Sequence, residues 1–172
     1  MNRTPWTSRI FSFDLPEGWL PNVLERLHGT AVRIKELTSG VNEQALIFKP
    51  DGKWSIKEHI GHLIDLENLH EGRIDDFLAR KEILRAADMS NIKTYEANHN
   101  AARLDSLITE FWEKRSRFIT RLKDLDDETQ SFSSLHPRLK KHMRPVDMAY
   151  FTAEHDDHHL ASIRQLIEQY KK

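Results

Sequence analysis

Amphipathic helical periodicity runs through almost the whole chain and constrains its fold more than any other feature. Leucine, isoleucine and phenylalanine recur every three or four positions in four long stretches, the period of one helix face. No stretch shows the sustained alternation that a half-buried strand requires. Four long amphipathic helices predict an all-α protein, and specifically a four-helix bundle.

Local signals place the ends of these helices. An irregular lead over residues 1–17 precedes the first helix, which begins near Leu20 and stops at Ser39 and Gly40. Ser55, with Glu58 three residues later, forms a capping-box pattern that opens the second helix. We predict that the second helix ends near residue 80, that the third spans about 98–125, and that the fourth follows residue 145. A polar connection over 85–96 and a loop over 131–145 join them.

Length and composition restrict the classes of protein. The 172 residues suit one domain over 1–172. Lys plus Arg total 26 and Asp plus Glu total 27, without a long basic run, so we expect neither nucleic acid nor a membrane as a partner. The start lacks the apolar core of an export signal, which predicts a cytoplasmic protein. The chain has no cysteine, which excludes disulfides, thiolate ligands and a protein thiol nucleophile.

Two histidines four positions apart interrupt the apolar stripe of the fourth helix. His155 and His159 stand where hydrophobic side chains are expected, one helical turn apart. Both imidazoles can therefore point at one metal ion. Without a metal, two desolvated imidazoles would need hydrogen-bond partners for four nitrogens. The pair predicts a metal site that needs a third ligand.

The pattern alone does not choose the third ligand. His59 falls nearer the middle of the second helix's apolar stripe than His62 does, so periodicity slightly favours His59. The edge of that stripe carries His62, Leu66, Leu69 and Arg73. The candidates for the third ligand are His59, His62, His70, His136, His142 and His158.

Two segments of the sequence resemble the signatures of the DinB/YfiT-like superfamily. They are WSIKEHIGHLIDLE at 54–67 and AEHDDHHLASI at 153–163. The resemblance covers nearly the whole chain and implies a four-helix bundle that binds one divalent metal through His62, His155 and His159. It thereby selects His62 over His59. The family includes thiol-dependent S-transferases and a maleylpyruvate isomerase branch, and homodimerisation is plausible for it.

Three neutral imidazoles leave a divalent ion with at least one open coordination position, as in catalytic zinc sites. Imidazole ligands suit zinc or nickel, and iron is possible. Such an ion can activate water or a low-molecular-weight thiol. We therefore expect a metal-dependent thiol S-transferase or hydrolase acting on a small molecule. The alternatives are a non-catalytic bundle that binds metal or a stress ligand, and a structural or dimerising bundle.

Several polar residues are candidates for supporting roles. A ligand histidine usually donates its outer N–H to a carboxylate or carbonyl, and Asp65, Glu154 and Asp156 are near the predicted ligands in sequence. Arg115 replaces an apolar residue on the third helix, where a buried guanidinium needs an anionic partner. Arg115 and Asp65 are therefore weak catalytic candidates.

Arg115 could bind an anionic substrate or thiol, or it could form an ion pair with a carboxylate such as Glu58 or Glu67. We favour the ion pair. For Arg73, pairing is favoured more strongly. His158 points off the stripe, and we expect a surface or supporting role for it. Trp54 is expected to anchor the start of the second helix.

Overall fold

The computed structural model describes residues 3–16 and 18–171 of the chain. Residues 1, 2 and 17 of the predicted lead therefore lie outside the described part. Short 3-10 turns lie at Trp6–Ser8, Pro50–Gly52 and His99–Ala101. The helices are α1 (Leu20–Thr38), α2 (Glu43–Ile47), α3 (Ile56–Leu78), α4 (Ile92–Glu96), α5 (Leu104–Lys123), α6 (Asp127–Ser131) and α7 (Pro145–Tyr170), and the strands are β1 (Ser134–His136) and β2 (Lys141–Met143).

The four long helices, α1, α3, α5 and α7, form the predicted four-helix bundle. Helix α1 packs beside α5 and α7, and α3 also packs beside α5 and α7, so α1 and α3 are diagonal to each other. The capping box at Ser55 is present: its hydroxyl accepts from the Glu58 amide, and Glu58 accepts from the Ser55 amide. None of the helices in the described ranges is apolar over enough residues to cross a bilayer.

The direction of each helix follows from two hydrophobic clusters, one at each end of the bundle. The early residues of α1 and α7 lie in the first cluster and their later residues in the second. The order is reversed in α3 and α5. Helices α1 and α7 are therefore parallel, and both run opposite to α3 and α5.

This chain order requires a long connection between α3 and α5. Because these helices are parallel neighbours, residues 79–103, here called the crossover segment, must return along the bundle. Helix α3 has 23 residues, a length of about 34 Å. The crossover segment packs against α3 at Gly72 and Gly61, where an added Cβ would lie 2.0 Å from the Arg85 guanidinium and 2.1 Å from the His99 ring.

A buried ionic layer separates the two hydrophobic clusters and joins all four long helices. Arg115 of α5 donates to Glu67 of α3 at 2.6 and 3.1 Å and to Asp156 of α7 at 3.1 Å. The Thr30 hydroxyl of α1 donates to Asp156 at 2.8 Å. All four residues are at most 1% exposed. Arg115 therefore adopts the pairing alternative, and it does not line the cavity beside the histidines that is described below.

The connections differ from their prediction. The third long helix begins at Leu104 and not near 98, because Asn98 has a positive φ of 49°, and Ala102 and Arg103 have extended backbone, with ψ of 153° and 139°. The connection after it contains an antiparallel hairpin in which Ser134 pairs with Met143. Leu135 also exchanges backbone hydrogen bonds with the crossover segment, at 2.8 and 3.1 Å. Strands of three residues are too short to show an alternating pattern.

Candidate metal centre

Three imidazoles converge between α3 and α7. His62, His155 and His159 each offer a ring nitrogen within 4.8 Å of the others. The Nε2 atoms of His155 and His159 are 3.1 Å apart. Two nitrogens bound tetrahedrally to zinc at about 2.0–2.1 Å would be about 3.3 Å apart, so this pair has the spacing of two ligands. The rings are at most 9% exposed. Donor type, number and spacing thus fit one divalent ion.

A hydrogen-bonded chain orients the ring of His62. Its Nδ1 lies 3.1 Å from the Thr94 hydroxyl, which donates to Asp65 at 3.0 Å. Because the hydroxyl has one hydrogen and gives it to Asp65, it accepts from the Nδ1–H of His62. The Nε2 lone pair of His62 is then free for a metal. Asp65, predicted to support His62, therefore acts on it through Thr94.

The crossover segment fixes Asp65 in turn. His99 Nε2 lies 2.9 Å from its carboxylate, and Lys93 Nζ lies 3.5 Å from it. Burial favours protonation of Asp65, but the contacts with His99, Thr94 and Lys93 outweigh it and hold its pKa below the ordinary value. The close approach of His99 depends on the missing Cβ of Gly61. This glycine in the middle of a helix thus supports the geometry of the histidine cluster.

The outer nitrogens of the other two rings differ in their partners. His159 Nδ1 lies 2.8 Å from His59 Nδ1, so His59 supports His159 from outside the three-ring cluster. Periodicity had favoured His59 as a ligand, but the structure brings His62 to the cluster instead. His155 Nδ1 is buried without a hydrogen-bond partner among the described residues, and the Trp6 ring packs edge-on at 4.9 Å.

Burial keeps the cluster neutral. Burial lowers the pKa of His62 to about 4. It also lowers the pKa of His59 to about 3, and the neighbouring His62 adds to this second shift. The pKa values of His155 and His159 lie well below 6.5, first because of burial and then because of adjacent imidazoles. A neutral imidazole is the form that binds a metal. The rings are therefore in the ligating form at neutral pH without a cost of deprotonation.

The expected carboxylate support on α7 is absent from the described contacts. Glu154 accepts from Arg26 of α1 at 2.6 Å, and Asp156 belongs to the ionic layer. Neither carboxylate is hydrogen-bonded to a cluster imidazole in the described part of the chain. They flank His155 in sequence but point to other helices, because successive helical residues face different directions.

A cavity of about 430 Å³ adjoins the cluster. Helices α3 and α7 form one side of it, and the N-terminal segment, the crossover segment and the loop after β1 close the others. Trp54 belongs to this wall; its ring centroid lies 4.6 Å from that of His62. The other residues that line the cavity include Trp6, Leu66, Leu69, His70, Arg73, Ala86, Ala87, Met89, His136, Arg138, Phe151 and His158.

Sequence reasoning left some of these positions open and missed others. His136 and His158 line the cavity, whereas His142 is exposed on β2. Thr94 and His99 were missed, because they lie in helical turns of the crossover segment that are too short for a period to reveal a facing surface. Gly61 was the available signal, since glycine inside a helix costs up to about 1 kcal/mol relative to alanine and indicates close approach.

Fold and site together define a class: a four-helix bundle with a buried three-histidine cluster, suited to a divalent metal, at the wall of a cavity. The chain belongs to the DinB superfamily, whose sequence profile matches residues 26–163. This confirms the family expected from the two sequence signatures. A search of curated proteins finds no match.

The chain is also similar to the solved structure of YfiT from Bacillus subtilis, described as a probable metal-dependent hydrolase with an unusual four-helix bundle topology. The two share 17% sequence identity with a TM-score of 0.81, over 95% of this chain and 94% of that one. At this identity the likeness establishes the fold, and with it the predicted bundle.

Proposed function

We propose that this protein is a divalent-metal-dependent hydrolase of a small molecule, with His62, His155 and His159 as the metal ligands. The observation that carries the proposal is the position of the cluster: the three rings converge at the wall of a cavity of about 430 Å³. Catalytic zinc sites combine three protein ligands with an open position. The description of YfiT as a probable metal-dependent hydrolase supports the same reaction class.

A divalent ion in this site supplies Lewis-acid chemistry, polarising a substrate oxygen or lowering the pKa of water. The chain's own residues prepare the site for that ion. Thr94 and Asp65 hold His62 in the tautomer that presents Nε2. Trp6 and Trp54 pack against His155 and His62, where they exclude bulk water from the imidazoles. The donor set favours zinc or nickel, with iron as a further candidate.

A second candidate is S-transfer from an external low-molecular-weight thiol. In the described part of the chain, the cavity wall carries one carboxylate, that of Asp88, which already accepts from Ser90 and from the Ile92 amide. Hydrolysis commonly uses a general base beside the metal, whereas a thiol is deprotonated by the metal itself. This feature of the wall favours the thiol reaction.

The first test is metal content and metal affinity. We expect about one zinc or nickel ion per chain in protein purified without chelator, measured by plasma mass spectrometry and by calorimetric titration of the stripped protein. His155→Ala and His62→Ala should abolish stoichiometric binding. His142→Ala is the matched control, since His142 is exposed on β2, and it should bind normally.

The second test separates the reactions. Carboxylic esters, phosphate esters and amides are screened with metal-loaded protein, with and without an added thiol. Metal-dependent turnover without thiol supports the hydrolase, and turnover only with thiol supports the transferase. Tight metal binding without turnover in either screen would instead identify a non-catalytic metal or stress-ligand binding protein. Absence of binding would favour a structural or dimerising bundle.

A further inference from the structure

The end of the cavity formed by the last turns of α3 carries two cations without ionic partners. Arg73 is 2% exposed, and its Nε donates to the Arg85 carbonyl at 3.2 Å. Within residues 3–16 and 18–171, neither Arg73 nor Arg138 has a carboxylate within 4.0 Å. Asp76, which influences Arg73 electrostatically, is already bound by Arg85 and Lys81. The expectation that Arg73 pairs with a carboxylate is therefore wrong.

Two imidazoles at this end add unused polar atoms. His136 Nδ1 accepts from the Leu139 amide at 3.2 Å, so in the neutral ring the proton is on Nε2. That Nε2 is buried and has no partner among the described residues, and the same holds for His70 Nδ1. Burial, together with the charges of Arg73 and Arg138, lowers the pKa of His136 to about 3, so it stays neutral. The residues that line this end of the cavity thus carry one N–H without a partner and two guanidinium groups.

The surface between these cations and the histidine cluster is apolar. His62, Leu66, Leu69 and Arg73 recur at helical spacing on α3, and all four line the cavity. The last lies eleven positions after the first, a rise of about 16.5 Å. Opposite them on α7, Phe151 lies one turn before His155. The Arg138 guanidinium lies 5.9 Å from the centroid of the Phe151 ring. A ligand that contacts both ends needs an apolar body.

We propose that the cavity binds an organic anion, whose carboxylate or phosphate contacts Arg73, Arg138 and the His136 Nε2–H while its apolar body extends along Leu66, Leu69 and Phe151 towards the three histidines. A buried guanidinium without a counter-ion is costly, and an anionic ligand would remove that cost. Guanidinium groups recognise both carboxylate and phosphate. The inference names the substrate class for the proposed metal-dependent enzyme and rests on that function, but anion binding itself requires no metal.

The test measures binding to the metal-free full-length protein. The probes are 4-phenylbutanoate, 3-phenylpropyl phosphate, which has the same apolar body, and the neutral amide of the first, each titrated by calorimetry. We expect one saturable site for an anion and at least about tenfold weaker binding of the amide, because a charge-assisted hydrogen bond is lost. The tighter of the two anions identifies the oxyanion. Equal binding of acid and amide, or no binding of either anion, would overturn the proposal.

Variants locate the site. Arg138→Gln should weaken anion binding at least about tenfold, whereas Arg164→Gln, an exposed arginine of α7 outside this cavity, should leave it unchanged. Because Arg73 is buried, Arg73→Lys is measured beside Arg73→Gln, and circular dichroism checks that both fold. Unchanged affinity in Arg138→Gln would contradict the assignment.

His155→Ala separates the two proposals. It should lose metal binding and keep the affinity for the anion. Failure of metal binding in the wild type would remove the enzyme proposal while leaving the anion site testable. Loss of anion binding in metal-free His155→Ala would place the anion at the histidines and would overturn this inference.

Discussion

Replacing Arg115 by methionine should strongly destabilise the bundle, because Glu67 and Asp156 would lose their shared cation. Both carboxylates are 0% exposed, and Arg115 donates to each of them. Removing one partner of a buried ion pair costs about 3–5 kcal/mol, since a charge is left uncompensated. With two carboxylates affected, we expect about 5 kcal/mol at neutral pH. At about 2–4 °C per kcal/mol for a chain of this size, Tm falls by about 10–20 °C.

The pH dependence of this loss tests its cause. Burial already raises the pKa of Glu67, although Arg115 opposes the rise, so removing Arg115 raises that pKa further. In the folded variant Glu67 then binds a proton at a pH at which the same residue of the unfolded chain stays ionised. The stability of the variant therefore increases as the pH falls through the raised pKa of Glu67. The stability difference between variant and wild type should therefore narrow from pH 8 to pH 5.5.

Urea unfolding of the metal-free proteins, followed by far-ultraviolet circular dichroism, measures both effects. Arg117→Met is the matched control: Arg117 lies two residues further along α5, its side chain is 57% exposed, and it is 3.5 Å from Glu71. Exposed pairs contribute about 0–1 kcal/mol, so the control should change little. A loss in Arg115→Met no larger than in the control, or a difference independent of pH, would refute the reasoning.

The remaining predictions concern metal binding. Gly61→Ala should weaken zinc binding about 10- to 100-fold in competition calorimetry, because the new Cβ displaces His99 and disturbs the bonds that orient His62. Gly29→Ala is the control, because its Cβ would make only an ordinary van der Waals contact with the Arg33 side chain at 3.8 Å. Equal zinc affinities of Gly61→Ala and the wild type would contradict this role. Zinc affinity should fall less than about twofold from pH 7 to 5.5, because the depressed pKa values keep the rings neutral. Three imidazoles of pKa 6.5 would instead lose about 600-fold, and a loss of that size would refute the neutral cluster.

The bundle could be predicted because the apolar residues of an amphipathic helix recur with a regular period in the sequence. Four long stripes gave four long helices, and the capping pattern at Ser55 fixed one helix start. The hairpin and α4 are too short for any period to be visible. The helix predicted from Asn98 begins later because the backbone is extended at Ala102 and Arg103. The parallel arrangement of α1 and α7 was beyond reach, since it depends on which stripes face one another.

The histidine pair on α7 was visible for the same reason: four residues form one helical turn. The roles of Arg115 and Arg73 could not be predicted in this way. A periodic pattern shows that a polar residue is on a buried face, but it does not show which residues lie opposite. Arg115 faces two carboxylates in the core, whereas Arg73 faces a cavity. The stripe edge that carries His62 and Arg73 borders that cavity, so residues at the margin of the apolar stripe mark the site.

The crossover segment has a consequence for how this fold can diversify. It is held to α3 at Arg85, which donates to Asp76, and again at His99, which contacts Asp65. Between these two attachments, Ala86, Ala87, Asp88, Met89 and Asn91 contribute cavity wall and take no part in the bundle's core. Mutations there can reshape the ligand space while the packed helices and the imidazoles stay in place. The chain order thus keeps this part of the cavity wall separate from the helix core, so sequence changes in the wall carry little risk to folding.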